Sequence, residues 1–213
     1  MREIFPGIDR WSWFSDRFGY DFHGFFARHA DGNLCIDPVE PSDDDLAALV
    51  EAGVARIVLT NRNHYRAAAR IRERCAARIA VHAADADFVR DHGVPVDDFL
   101  VPGERVGPFT IVAAAGKSPG EVALHWPEQR LLVVGDACVR NLAGQLSLLP
   151  DAVMDAPAEL RRSLARIAAE VDFDVLLLAD GESILGGARA ALQQLVATFD
   201  GSAPTPVSKP RQP

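Results

Sequence analysis

The chain has 213 residues, 48% of them hydrophobic, which is enough apolar surface for one sizeable core. Its formal net charge of -8 argues against a nucleic-acid partner, because phosphate binding relies on clustered Lys and Arg. Nothing approaches about 18 uninterrupted apolar residues, and the opening MREIFPGIDRWSW lacks the apolar run of about 7 to 15 residues that a secretory leader needs, so no membrane partner is expected and the expected compartment is cytoplasmic.

The stretch from His23 to Pro38 reads as two extended segments, GFFARHA and NLCIDP, joined at Asp31-Gly32, a two-residue hairpin signal. An antiparallel pair is therefore expected to open the domain. Ser42 precedes three aspartates and a periodic Leu46, Leu49 and Val50 that stops at Gly53, the pattern of a short capped amphipathic helix. The β-branched ARIVLT (55–60) suits a buried strand, and the next helix carries Ala68, Ile71 and Cys75 at core spacing.

ARIAVH (77–82), FTIVAAA (109–115), EVALHW (121–126) and RLLVVG (130–135) predict further strands between turn-rich segments. A second strand-and-helix stretch follows: a helix from Pro157 to Glu170, the strand DVLLLA (174–179), and a helix over 185–199. Strands followed by helices in each half, with meandering strands between, predict an α+β fold of two sheets packed face to face and covered by helices, a four-layer αββα sandwich. One domain over 1–200 is expected, followed by a Pro/Ser-rich tail over 201–213 expected to be disordered.

Cys35, Cys75 and Cys138 are an odd count at wide spacing, which suits buried reduced fillers better than disulfides or a zinc site. Arg66, Arg70, Arg72 and Arg74 scatter around a predicted helix and read as a solvated face. Trp11, Trp13, Phe14 and Phe18 are expected to cover a sheet edge, with an entrance to a site as the alternative.

Five segments carry most of the remaining information: GNLCIDP (32–38), VLTNRNHYR (58–66), GKSPGE (116–121), LLVVGDA (131–137) and LLLADGESI (176–184). In this order and at these spacings they resemble the landmarks of the metallo-β-lactamase superfamily, especially its glyoxalase-II-like hydrolases. The resemblance covers about residues 23 to 199 and implies the αββα sandwich.

It also implies a two-zinc site, and here the residues depart from the family. The second landmark normally reads Thr-His-x-His-x-Asp-His, whereas this chain has Thr60, Asn61, Arg62, Asn63, His64, Tyr65 and Arg66. Lys117 stands where the third landmark has a histidine, and Ala179, Asp180 and Gly181 stand for Gly-His-Gly. Asp136 keeps the place of the carboxylate that bridges the metals. Neutral amides are poor zinc ligands, and ammonium and guanidinium groups are none. Asp37 occupies a family position that supports the loops beneath the site, so a hydrogen-bonding role is expected for it.

Two functions follow. In the preferred one the chain is a hydrolase-like protein without a metal cofactor, whose pocket presents Asn61, Asn63, His64, Arg66, Lys117, Asp136 and Asp180 to a small polar or anionic molecule. Lys117 is expected to replace the lost zinc charge beside Asp136, while His64 is expected to start a helix and bond locally. The alternative is a hydrolase of an ester or thioester with one divalent ion, zinc, manganese or iron, on His64, Asp136 and Asp180. The substrate, any residual catalysis and assembly into a homo-oligomer are left open.

Overall fold

The computed structural model describes residues 1–16, 19–140 and 143–199. The predicted tail over 201–213 and Phe18 lie outside the described residues. The first sheet has seven strands in chain order: β1 (Arg2–Phe5), β2 (Ile8–Ser15), β3 (Tyr20–Ala27), β4 (Leu34–Ile36), β5 (Arg56–Val58), β6 (Arg78–His82) and β7 (Asp98–Leu100). β1 to β4 pair antiparallel, and β4 to β7 run parallel. Helices α1 (Asp43–Ala52), α2 (Ala68–Cys75) and α3 (Ala83–Asp91) make the parallel crossovers.

The second sheet has the order β14-β11-β10-β9-β8, built from β8 (Arg105–Val106), β9 (Phe109–Ala113), β10 (Val122–Trp126), β11 (Leu131–Val134) and β14 (Val175–Leu178). β12 (Val139–Arg140) and β13 (Leu146–Ser147) form a small separate pair; α4 (Pro157–Glu170) precedes β14 and α5 (Ala188–Ala197) follows it.

Alternation along the strands sorts the apolar side chains into three layers. Phe25, Ile36 and Val58 of the first sheet meet Phe109, Leu124, Val133 and Leu177 of the second, filling the space between the sheets. Phe26, Cys35, Ile57 and Ile79 point the other way, onto Leu49 of α1, Ile71 of α2 and Val89 of α3. Leu132, Val134, Leu176 and Leu178 turn outward onto Leu160, Leu164 and Ile167 of α4 and Leu192 of α5. The result is the expected αββα sandwich.

Two expectations need correction. The antiparallel pair β3-β4 exists, but β1 and β2 precede it, so Trp11, Trp13 and Phe14 belong to an interior strand and do not cover an edge. Trp11 is buried against the outer layer and donates its indole N–H to the Val39 carbonyl at 3.0 Å. The link at Asp31-Gly32 is also longer than a two-residue turn, because β3 ends at Ala27 and β4 starts at Leu34. Asn33 organises that link: its Oδ1 accepts from His29 N–H at 3.1 Å and its amide donates to the Ala52 carbonyl at 2.9 Å.

α1 begins where Ser42 Oγ accepts the Asp45 N–H, and it ends at Gly53, whose φ of 74° few other residues adopt cheaply. No helix among the described residues is long and apolar enough to cross a membrane. The three cysteines are free, with Cys35 and Cys138 buried and Cys75 half-buried.

Candidate functional site

Four chain segments end at one edge of the sandwich. β5 runs out into Leu59, Thr60 and Asn61; β11 into Gly135 and Asp136; β14 into Ala179 and Asp180; and the β9-β10 loop carries Lys117. Backbone bonds between the sheets fix this meeting: Val122 N–H donates to the Thr60 carbonyl at 2.9 Å, and His23 N–H to the Ala179 carbonyl at 2.8 Å. Close approach demands glycine at 135, where a Cβ would lie 2.2 Å from Thr60 Oγ1 and 3.0 Å from His64 Cε1.

After Asn61 the chain makes a tight 3-10 turn over Arg62–Tyr65, capped by Asn61 Oδ1, which accepts Asn63 N–H at 2.8 Å. The turn swings His64 inward and Tyr65 outward, where its ring lies 4.9 Å from that of His92. His64 is therefore not the locally bonded helix starter that was expected. It is buried, with Nε2–H donating to Asp136 Oδ1 at 3.0 Å and Nδ1 3.1 Å from Asp37 Oδ2. Nδ1 also hydrogen-bonds Thr60 Oγ1 at 3.3 Å, and because that hydroxyl gives its own proton to Asp37, Nδ1 must donate as Nε2 does, hence an imidazolium. Burial alone would lower its pKa, but Asp37 and Asp136 outweigh this and push it up to about 10.

Asp37 holds the base of the site. Its backbone sits at φ 48°, a left-handed conformation that Asp tolerates better than most residues, and its carboxylate accepts from Thr60 N–H at 2.7 Å and Thr60 Oγ1 at 2.6 Å. On the cavity side, Lys117 Nζ lies 3.2 Å from Asp136 Oδ2. Burial opposes ionisation of Asp136, yet the charge and hydrogen bond of His64, together with Lys117, hold its carboxyl well below the usual range. The order Asp37, His64, Asp136, Lys117 is thus a chain of alternating charges.

Lys117 is positioned by its loop. Gly116, at φ 140°, passes so near α4 that a Cβ would meet the Leu160 backbone nitrogen at 2.2 Å. Buried Asp85 ties down the residues beyond: Ser118 Oγ donates to it at 2.5 Å and Gly120 N–H at 3.0 Å, and it also accepts Arg62 N–H at 2.9 Å. Asp85 therefore holds Ser118 in this turn.

The cavity above this chain has a volume of about 380 Å³. Asn63, His64, Arg66, Lys117, Asp136 and Asp180 all line it, with Tyr20, Phe22, Leu149, Pro150 and Val153 completing the wall. Asn61 does not reach it: fully buried behind the turn, its amide donates to Glu121 Oε1 at 3.4 Å. Glu121, which the sequence reading passed over, is itself buried, and burial together with Asp136 raises its carboxyl well above the usual range. Asp180 is raised to about 7 by burial and by Asp136. Tyr20 is raised to about 12 by burial, Asp180 and Asp136, and hydrogen-bonds Asp180. Arg66 stacks its guanidinium 4.9 Å over the Phe22 ring.

Tyr20 and Phe22 belong to β3, which begins three residues before the His23 at which the sequence pattern becomes extended. Leu149 and Val153 come from a connecting stretch without apolar periodicity. Among the described residues, no group of three or more His, Cys, Asp and Glu side chains is arranged to hold a metal ion.

Comparison with known proteins places this geometry. The family model described as the metallo-beta-lactamase superfamily matches residues 3–199. A hydroxyacylglutathione hydrolase of Cereibacter sphaeroides (strain ATCC 17025 / ATH 2.4.3) is 28% identical over 170 residues, 76% of this chain and 62% of the relative, so the chain spans less than two thirds of that protein. Among solved structures, the TTHA1623 protein in a di-iron-bound form superposes with a TM-score of 0.65 at 21% identity, over 84% of this chain and 96% of the other. A metallo-beta-lactamase from Erythrobacter litoralis, solved with beta mercaptoethanol in its active site, gives 0.74 at 14% identity, over 92% and 95%. Identities this low speak for the fold alone.

Proposed function

Because this chain belongs to the metallo-beta-lactamase superfamily, we propose that it is a hydrolase-like member whose pocket works without a catalytic metal and binds a small polar or anionic molecule. The observation that carries this reading is the double engagement of Asp136, by His64 Nε2 at 3.0 Å and by Lys117 Nζ at 3.2 Å.

A two-zinc site does not fit these residues. The His64 Nε2 that a metal would need is hydrogen-bonded to Asp136 at 3.0 Å, and an ammonium beside Asp136 occupies the charge role that an ion would fill. Asn61 and Asn63 offer amides where imidazoles would be needed, Tyr65 faces away, and Arg66 brings a cation. The same facts weigh against the single-ion arrangement on His64, Asp136 and Asp180. On this reading the activity in the name of the Cereibacter relative, hydrolysis of hydroxyacylglutathione, is absent from this chain.

What remains in the cavity suits ligand binding. Its volume falls in the range of small-molecule pockets, its wall is partly apolar, and a few polar groups converge on it. With His64 and Lys117 committed to Asp37 and Asp136, Arg66 is the cation offered to a ligand. Calorimetric titration with acetate and inorganic phosphate tests this: saturable binding that disappears in Arg66→Ala is expected. No binding of either anion, together with stoichiometric uptake of zinc, would overturn it.

A further inference from the structure

Two residues that line the cavity each carry a buried polar atom without a hydrogen-bond partner among the described residues, and the two atoms are opposite in character: Arg66 Nε, a donor, and Asp180 Oδ1, an acceptor. Asp180 is 6% exposed, and its hydrogen bond with Tyr20 leaves Oδ1 unused. Orphaned buried groups are rare because each forfeits its hydration without replacement, so a pair flanking one cavity points to what the cavity is shaped to receive.

The charges narrow the choice. Arg66, Lys117 and His64 stand against Asp37, Asp136 and Asp180, while Glu121, whose carboxyl burial and Asp136 push well above the usual range, is not part of the lining; the Lys117, His64, Asp136 and Asp37 charges are already joined in one chain. That leaves one cation and one carboxylate, Arg66 and Asp180, for the ligand. A purely anionic molecule would satisfy only the first, and an amine only the second. The rest of the wall, Phe22, Leu149, Pro150 and Val153, is apolar, and Val153 remains 52% exposed with nothing packed over it.

Resting on the reading of this cavity as a binding pocket, we propose that its ligand is a free amino acid with an apolar side chain, carboxylate on Arg66, ammonium on Asp180 and side chain against Leu149 and Val153. Each contact is a charge-assisted hydrogen bond, about twice as strong as a neutral one, and on the Asp180 side it engages a group only 6% exposed.

Isothermal titration of the full chain with four compounds that share one branched apolar chain tests the assignment: leucine, 4-methylpentanoate, 3-methylbutylamine and 2-hydroxy-4-methylpentanoate. Leucine should bind about tenfold or more tighter than either singly charged compound, and tighter than the hydroxy acid. Asp180→Asn should remove the preference for leucine over 4-methylpentanoate, and Arg66→Gln the preference over the amine.

Equal binding of leucine and 4-methylpentanoate overturns the amino-acid assignment while leaving an anion pocket standing. A hydroxy acid as tight as leucine overturns it too, since a neutral donor would then suffice. Failure of leucine, phenylalanine and methionine to bind overturns it outright, and loss of acetate and phosphate binding as well brings down the pocket reading itself. The comparison of compounds on the unmodified chain decides the matter even if a variant fails to fold.

Discussion

Lys117 Nζ and Asp136 Oδ2 stand 3.2 Å apart at the floor of the cavity, with little of either side chain exposed. Removing Lys117 leaves Asp136 with His64 as its remaining cation, so Lys117→Ala should destabilise the protein by about 3 kcal/mol or less, and replacing both residues by apolar side chains should cost less than the sum of the two singles. Urea unfolding of the two singles and the double measures the coupling. Additive effects would mean that the two residues do not interact.

His64 and Asp136 set opposite ends of the pH profile. The pKa of His64 is raised from 6.5 to about 10, so its contribution is fully present below about 6.5 and is lost as pH rises through about 10. That of Asp136 is lowered from 3.8, so its contribution is present above about 3.8 and is lost as pH falls through its lower folded value. His64→Gln should therefore flatten the alkaline limb of a stability-pH curve from chemical denaturation and weaken the neutral plateau.

Asp180 acts between those limits. Its pKa is raised from 3.8 to about 7, so the folded state holds its proton more tightly, and stability present below about 3.8 declines as pH rises through 7. In Asp180→Asn that decline should shrink relative to the parent. An unchanged slope would show that Asp180 ionises as an ordinary surface carboxylate does.

Gly135→Ala probes the packing beneath the site. Its Cβ would stand 2.2 Å from Thr60 Oγ1, so the β5 and β11 ends must separate or Thr60 must leave Asp37. A loss of about 1 to 3 kcal/mol is expected in thermal or denaturant unfolding, the usual range for overpacking. An unchanged Tm would contradict the close approach of the two strand ends.

The elements that were legible in the sequence are those with unambiguous ends. Ser42 and Gly53 bracket α1, and Pro157 opens α4 at its first residue. β1 and β2 were not legible, because charged residues interrupt REIF and IDRWSWFS and hide their alternation. α3, in AADADFVRD, follows β6 without a break and is capped by the last residue of that strand, His82, whose Nδ1 accepts Ala84 N–H, so none of the usual Ser, Thr, Asp or Asn caps marks its start.

The site was legible in part. Motif order brought Lys117, Asp136 and Asp180 together correctly. His64 was misjudged because its environment depends on a 3-10 turn: a regular helix started at the same place would orient it differently, and no propensity distinguishes the two. Glu121 looked like a polar residue at a strand start and proves to be buried beside Asn61.

Under the proposed function, His64 and Lys117 carry the positive charge around Asp136 that metal ions would otherwise supply. Elemental analysis of the protein purified without chelator, paired with thermal unfolding before and after zinc addition, tests it most directly. Metal well below one ion per chain and an unchanged Tm are expected. Stoichiometric zinc, manganese or iron that is lost in His64→Ala would contradict it.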